Sequence, residues 1–446
     1  MASKRKTLVR RAAFFALLTL AFTCATYWSQ PEVRAAVPET GTNAPSHAIP
    51  ATFFGMNVHV WATQDQPWPA LQFGSFRFWD SGTGWAQLNP AKDRYDWTQL
   101  DRWFTLLHAH NVDDALYTFG RVPGFASSKP SDRNCAYGAG QCDPPSDLNA
   151  DGAGSDQYWK DFVEAIVTHC KSSQTVHVRY WEIWNEPYLP SFWTGTMPQM
   201  VRMAADAQSI IHRIDPDAIV LNPPGPLRFA RYQDFMGNYL AAGGGKYADA
   251  IAFHGYVHGK PGVHSTASDF LTYLTEFRKV LAQYGQESKP LWDTEASWGN
   301  EEVFLPDPDM QAAFLTQFYL LHWSQGIERL YWYAYNDGAV GRLWIPDAYS
   351  PSRPGRVTAA GKAYAELYSW LVGVTMTQPC AQDGSKWTCG ITKDGHEAQI
   401  VWSPDSEQSY TPKATFKKMR DLDRATTQIS GPIKIGPKPI LLESQP

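Results

Sequence analysis

Between residue 52 and about residue 372, short apolar runs rich in β-branched and aromatic residues alternate with longer stretches whose apolar positions recur at helical spacing. Parallel strands need a long connection between neighbours, so this alternation predicts a parallel sheet with crossover helices. The strand-like runs are Phe53 to His59, Ser75 to Trp79, Asp114 to Phe119, Val176 to Trp184, Ala218 to Asn222, Ala250 to His254, Leu291 to Glu295 and Arg329 to Tyr333. Helical spacing fills stretches such as Trp97 to His110, Tyr158 to Lys171, Met197 to Ile214, Phe270 to Tyr284 and Met310 to Gly326. Eight strands separated in this way predict an α/β fold, a (β/α)8 TIM barrel over residues 37–372. From Thr375 the pattern changes to short strand runs and turns: Trp387 to Ile391, Ala398 to Trp402, Thr411 to Phe416, Ile433 to Ile435 and Pro439 to Glu443. These predict a small C-terminal β-sandwich domain over residues 373–446 with a structural role.

A barrel of this kind carries its chemistry at the C-terminal ends of its strands. Val176, Val178, Tyr180 and Trp181 build a strand that halts at Pro187, which cannot donate the next ladder hydrogen bond. Within Trp181-Glu182-Ile183-Trp184-Asn185-Glu186-Pro187, Glu186 therefore sits at the strand exit with Asn185 beside it. Lys289-Pro290-Leu291-Trp292-Asp293-Thr294-Glu295 is a second apolar run ending in a carboxylate. It follows at a distance that holds three strand-plus-helix units of roughly 30 residues each. Two acids on strand tips of one barrel face the same cleft. That pairing suits glycosidic bond cleavage, in which one carboxyl protonates the leaving oxygen while the other attacks the sugar carbon. Glu182 and Asp293 lie deeper on the same faces by the two-residue period, and are expected to support the strands.

Several of these stretches, in order, resemble a known group. Trp184-Asn185-Glu186-Pro187 resembles the fourth-strand signature of clan A retaining glycoside hydrolases, and Trp292-Asp293-Thr294-Glu295 resembles their seventh-strand nucleophile. Arg77, in Phe76-Arg77-Phe78-Trp79, resembles the clan's second-strand arginine, and Phe253-His254-Gly255-Tyr256 its sixth-strand His-x-Tyr. The matches run from about residue 52 to residue 337. Within the clan the chain is most similar to family thirty-nine, which includes xylosidases, iduronidases and bacterial exopolysaccharide hydrolases; family five is a close competitor.

The resemblance implies Glu186 as acid/base, Glu295 as nucleophile and a retaining double displacement, with no metal or other cofactor. It implies Asn185 as donor to the sugar 2-hydroxyl, and Arg77 as the group that keeps the nucleophile ionised and oriented. A tyrosine hydroxyl belongs near the nucleophile; His254 and Tyr256 point the same way from their strand, and either is able to reach furthest. The bland reading of His254 is a satisfied core histidine. Trp332 is the expected stacking platform, with Tyr335 and Trp344 behind it. His59, Trp61, Trp79 and Asp80 are contacts or walls on the non-reducing side.

A net charge of −5 and a pI near 6.2 supply no basic field for nucleic acid. The partner expected instead is a carbohydrate, and the 19 Trp fit it, because aromatic faces stack on the apolar faces of sugars. Residues 1–36 read as a signal peptide or N-terminal anchor, with a basic start (Lys4, Arg5, Lys6, Arg10, Arg11) before an apolar run from Ala12 to Ala25. Export to the periplasm or beyond is expected, with membrane attachment only where that segment stays uncleaved. The cysteines agree with an oxidising compartment: Cys135 with Cys142, and Cys380 with Cys389 across a turn at Asp383-Gly384, are predicted as local disulfides, and Cys170 as a buried thiol. The substrate expected is a β-linked poly- or oligosaccharide, with bacterial surface polysaccharide first. An exo-acting β-xylosidase, a transglycosylase and a non-catalytic glycan-binding protein are the alternatives.

Overall fold

The computed structural model describes residues 44–59, 68–228, 230–258, 265–336, 338–346, 355–393 and 395–444. The leader expected over residues 1–36 and the candidate contact Trp61 lie outside the described residues. Among those described, no helix is long and apolar enough to cross a membrane.

Eight parallel strands of three or more residues carry the first part of the chain: β1 (Phe54–Met56), β2 (Ser75–Phe78), β3 (Ala115–Thr118), β4 (Tyr180–Glu182), β5 (Ile219–Leu221), β6 (Ile251–His254), β7 (Leu291–Ala296) and β8 (Ile327–Trp332), and the two-residue strand Gly225–Pro226 pairs parallel with β6 as a ninth. From β1 to β5 and from β6 to β8 each strand pairs with the next, and β1 also pairs with β8. A bridge between Leu221 and Ala250 joins the β5 and β6 sides and closes the barrel. Helices follow the strands in turn: α1 (Thr98–Ala109) after β2, α2 (Gln157–Ser172) after β3, α3 (Met197–Ile214) after β4, α4 (Ala230–Ala241) after β5, α5 (Asp269–Gln283) after β6, α6 (Pro308–Ser324) after β7 and α7 (Ala359–Leu371) after β8. All eight strands and all five named helices stand where the periodicity predicts them.

The strands are short and almost wholly buried, because helices cover their outer face and side chains fill the lumen. Leu116, Leu221, Ala252, Trp292 and Tyr331 form a compact apolar layer. The Arg329 guanidinium lies 4.3 Å from the Tyr180 ring and 4.4 Å from the Trp292 ring. Arg329 bonds Ser75 and Asp114 at the starts of β2 and β3, and a second set of polar side chains gathers at the C-terminal strand ends, where the cleft opens. Local signals start the helices on time: Thr196 and Gln199 form a reciprocal capping box on α3, a device that contributes about 1 kcal/mol.

Helix α6 is buried on every side from Gln311 to Ser324, which an outer barrel helix is not unless something covers it. The C-terminal strands do so. Gln317 Nε2 donates to the Pro437 carbonyl at 2.7 Å, and the Cys380 amide donates to Ser324 Oγ at 2.7 Å. These strands are β9 (Thr375–Asp383), β10 (Lys386–Lys393), β11 (His396–Trp402), β12 (Gln408–Tyr410), β13 (Lys418–Arg420), β14 (Thr426–Gln428), β15 (Ile433–Ile435) and β16 (Ile440–Glu443). They form a six-stranded sheet in the order β9-β10-β11-β16-β13-β14, with β12 and β15 paired separately.

The strand expected over Thr411 to Phe416 is absent; the chain leaves β12 at Tyr410 and stays irregular to Lys417. Pro412 has no N–H for a ladder, and Phe416 instead drops into the apolar cluster of Val401, Ile435 and Leu442. Both predicted disulfides are present, and Cys170 is a buried free thiol.

Candidate active site

Arg77 leaves β2 into the barrel axis with no exposed surface. Its Nε and Nη2 donate to Glu182 Oε2 at 3.0 and 2.7 Å, its Nη1 to Glu295 Oε2 at 2.7 Å, and its Nη2 to Asn185 Oδ1 at 2.7 Å. The Thr118 hydroxyl donates to the same Glu182 oxygen at 2.7 Å. Burial alone would weaken the guanidinium's hold on its proton, but Glu182 and Glu295 more than reverse this, so Arg77 stays charged. Glu182 Oε2 thus gathers three donors as a support, while its buried Oε1 makes no hydrogen bond. Asn185 presents its carbonyl to Arg77, which leaves its amide N–H groups as the donor end.

Glu186 reaches the lumen through an unusual piece of backbone. Trp184 and Glu186 have φ of +74° and +44°, a left-handed conformation that costs such residues on the order of 1–3 kcal/mol each. His254 Nδ1 lies 2.8 Å from Glu186 Oε1, and the Tyr188 hydroxyl donates to the same oxygen at 2.5 Å. The other His254 nitrogen, Nε2, faces Arg77 Nη2 at 3.4 Å. A guanidinium only donates, so Nε2 is the acceptor and Nδ1–H donates to Glu186.

Glu295 owes its aim to two slips in register, one between Phe253 and His254 on β6 and one between Asp293 and Ala296 where β7 meets β8. Such irregularities redirect side chains. Glu295 comes to stand opposite His254, and Tyr256 donates to its Oε1 at 2.9 Å. Asp293 does not share that face, contrary to the two-residue period. It turns to the helix layer, where His322 Nε2 on α6 lies 2.9 Å away, and it accepts the Gly255 N–H at 3.0 Å. A side chain at Gly255 would meet that carboxyl at 1.9 Å, so the residue between His254 and Tyr256 is held to glycine by contact.

His254 and Tyr256 therefore divide the two carboxylates between them. One oxygen of Glu186, one of Glu295 and a His254 ring nitrogen all lie within 4.8 Å of one another. This trio is close enough to ligate a cation, but the carboxylates already accept from His254, Tyr188, Tyr256 and Arg77, and the Arg77 charge opposes a second cation. The other such grouping among the described residues, Cys135, Cys142 and Asp143, has its two sulfurs joined to each other.

The two carboxyls titrate apart. Burial pushes Glu186 up, but the His254 and Tyr188 donors and the Arg77 charge outweigh it and hold Glu186 below the ordinary carboxylate range. Burial raises Glu295 above that range; the Glu186 charge adds to this, while His254 and Arg77 pull the other way. In the empty cleft Glu186 is thus the stronger acid, whereas a general acid needs its proton near working pH. Replacing Tyr188 with Phe removes one donor from the Glu186 anion. Its pKa should rise, and because Glu186 is the lower-titrating carboxyl of the pair, the acidic limb of the kcat/KM profile should move to higher pH. An unmoved limb would detach Tyr188 from the acid.

Around this centre the walls differ from expectation. Trp332 presents no face to the cleft: it is fully buried, its Nε1 donates to the Gly341 carbonyl at 2.6 Å, and it packs on Trp298 and on Tyr319 of α6. Its neighbour Tyr333 takes the inward position, with its hydroxyl donating to Asp80 Oδ2 at 2.7 Å and lying 3.1 Å from His59 Nε2. Tyr335 is also withdrawn, stacked on Trp344 at 5.8 Å, its hydroxyl accepting the Ala70 N–H. Trp79 is a wall, its ring 4.4 Å beneath the Arg121 guanidinium. Arg121 in turn bonds Asp80 Oδ1 at 2.6 Å and lies 3.7 Å from the Tyr137 ring. Tyr188, Tyr333, Arg121 and Tyr137 were not singled out from sequence. Parity with the inward Tyr331 was the available signal for Tyr333, and proximity to Glu186 that for Tyr188. Arg121 and Tyr137 sit in a long loop with no periodicity to read.

The chain is thus a closed β/α barrel with an antiparallel β domain against α6, one carboxylate of the facing pair standing just after β4 and the other near the end of β7. The sequence matches no family model. Over 111 residues it is 32% identical to a beta-xylosidase of Geobacillus stearothermophilus, a match spanning 24% of this chain and 20% of that enzyme. The chain thus covers about a fifth of the length of that curated relative. The fold is similar to that of a family thirty-nine glycoside hydrolase from Bacteroides cellulosilyticus, at TM-score 0.63, 17% identity and coverage of 89% of this chain and 81% of that one. It is equally similar to a monomeric beta-xylosidase from Caulobacter crescentus, at TM-score 0.64, 16% identity and coverage of 90% and 97%. The resemblance to family thirty-nine read from four short motifs therefore holds for the fold of the whole barrel and its β domain.

Proposed function

We propose that this chain is a retaining glycoside hydrolase that cleaves a β-linked poly- or oligosaccharide, with bacterial surface polysaccharide as the leading substrate. The observation that carries the reading is the pair Glu186 and Glu295, whose nearer oxygens lie within 4.8 Å. Retaining enzymes hold their carboxyls about 5–5.5 Å apart, whereas inverting ones leave about 6.5–9.5 Å for a water. Glu295, bonded to Arg77 and Tyr256, attacks the anomeric carbon. Glu186 protonates the departing oxygen and then takes a proton from the incoming water. The amide of Asn185 faces the sugar ring as a donor to its 2-hydroxyl.

The proton must sit on Glu186 when the substrate is in place. Glu186 keeps 14% of its side chain exposed and Glu295 8%. Sugar binding therefore strips more water from Glu186, which raises its pKa, while positive charge growing at the sugar favours the Glu295 anion. The Glu186 carboxyl, followed by 13C NMR, should accordingly titrate at higher pH with a substrate analogue bound than in the free enzyme. The reverse order would contradict this route for the proton.

Glu186→Gln should lower kcat/KM on unactivated oligosaccharides by about 10²–10⁴-fold and do much less harm to aryl glycosides, whose leaving groups need no acid. Near-wild-type rates on both would remove Glu186 from the role. An exo-acting β-xylosidase is the second reading, favoured by the xylosidases among the similar proteins. Product lengths from a panel of exopolysaccharides, xylan, β-glucans and mannans separate the two.

A further inference from the structure

The two sides of the carboxylate pair differ in chemistry. On one side stand Arg77, Asn185, Asp80, Arg121 and the Tyr333 hydroxyl, a dense set of charged and hydrogen-bonding groups. On the other, a cavity of about 230 Å³ opens against Glu186 and does not include Arg77 or Asn185. Its lining includes Leu189, Pro226, Leu227 and Phe304, with the rings of Tyr188 and Tyr256. Glu186 is its one carboxylate, and no Asp, Asn, Gln, Ser or Thr lines it among the described residues. Its polar members beyond the carboxylate pair's own partners are Arg228 and His258, and the His258 ring packs at 5.9 and 5.1 Å on the rings of Phe304 and Phe314.

A general acid delivers its proton to the leaving oxygen, so the leaving group lies on the side of the cleft that Glu186 faces. A site for an ordinary sugar residue answers its several hydroxyls with a matching number of hydrogen-bonding side chains, since polar groups buried without partners are costly. Among the described residues this wall offers mainly carbon, with Arg228 and His258 as its further polar groups. The volume is that of roughly eight waters at about 30 Å³ each, room for one ring-sized group. Resting on the glycosidase reading above, we infer that the cavity beside Glu186 is a leaving-group subsite for a residue with an extended apolar face, such as a deoxy or O-acylated sugar or an aryl or alkyl aglycone. The enzyme then selects its cleavage point by the lack of hydroxyls on the departing side and reads hydroxyls on the retained side.

Transglycosylation tests the subsite without interference from leaving-group acidity. An aryl β-glycoside drawn from a panel of glycones first loses its phenol, leaving the sugar esterified to Glu295. An added acceptor alcohol in the leaving-group site then attacks the anomeric carbon, its proton passes to Glu186, and the carbon–Glu295 bond breaks. Acceptors of one size would be compared: a fully hydroxylated sugar, its 6-deoxy form, an O-acetylated form and a cyclohexyl or benzyl alcohol. The ratio of transfer to hydrolysis should favour the apolar acceptors by tenfold or more. Phe304→Asn, at a partly exposed position, should flatten that preference. Which apolar acceptor leads would distinguish a deoxy sugar from an acyl or aryl group. Equal or better transfer to the fully hydroxylated sugar overturns the subsite while leaving the glycosidase reading intact. No phenol release from any donor sinks both together.

Discussion

Replacing Glu295 with Ala is expected to reduce kcat/KM by about 10⁴-fold or more, because the attacking atom itself is lost. The variant should still bind carbohydrate, since Arg77, Asn185 and the opposite wall remain. Azide offers a sharper readout than rate. A small anion fits the space vacated by the carboxylate and attacks the sugar from the same face, so Glu295→Ala with an activated β-glycoside should yield the α-glycosyl azide. In a Glu186 deletion the glycosyl ester still forms, and azide should attack it from the opposite face to give the β-product. Products of the opposite configurations, read by NMR, would exchange the two roles. Full activity in Glu295→Ala would end the reading of this cleft.

The second large effect is expected at Arg77. Its guanidinium bridges Glu182, Glu295 and Asn185 in a space with no water-exposed surface on the arginine itself. Arg77→Met removes the charge and keeps much of the length. It leaves two carboxylates facing each other uncompensated, and breaking a buried pair in this way costs about 3–5 kcal/mol of folding stability. Denaturant titration should show a lower midpoint with the slope unchanged. The nucleophile should suffer as well, because Glu295 loses a partner that favours its ionised form. Adding Glu182→Gln relieves one unpaired charge, so the double variant should recover part of the stability and little of the activity. A stability loss that simply adds would mean Arg77 and Glu182 do not act as a unit.

The roles of the two sides of the cleft follow from these contacts. Groups that hold protons and charge converge on the side proposed to hold the retained sugar, and Glu186 stands between them and a largely apolar chamber. Tyr188 links the two, since it donates to Glu186 and also lines the chamber.

Much of this was legible in the chain itself. Hydrophobic periodicity is local, so eight strands and their helices could be placed by reading windows of a few residues, although the fourth strand ends at Glu182, short of the Pro187 breaker. Glu186 and Glu295 follow from position, since side chains at the C-terminal tips of parallel strands have one cleft to share, and the resemblance to clan A glycoside hydrolases adds Arg77, Asn185, His254 and Tyr256. The structure brings all six together. Parity within an aromatic run was not legible. Tyr331, Trp332 and Tyr333 are each apolar enough for either face, and only the layer beneath them sends Trp332 to the helices and Tyr333 to the lumen. Asp293 and Glu295 have the same parity on paper, and the register slips that separate them exist only once β6, β7 and β8 are paired. The proton balance of the carboxylates is likewise tertiary. It depends on Tyr188, His254 and Arg77, which arrive from three different strand ends and act through distances that no stretch of sequence contains. The sequence by itself determined the order of the strands and the two carboxylates at their ends, because apolar periodicity is written locally. Which way each one points, and how strongly it holds its proton, was decided by packing between segments far apart in the chain.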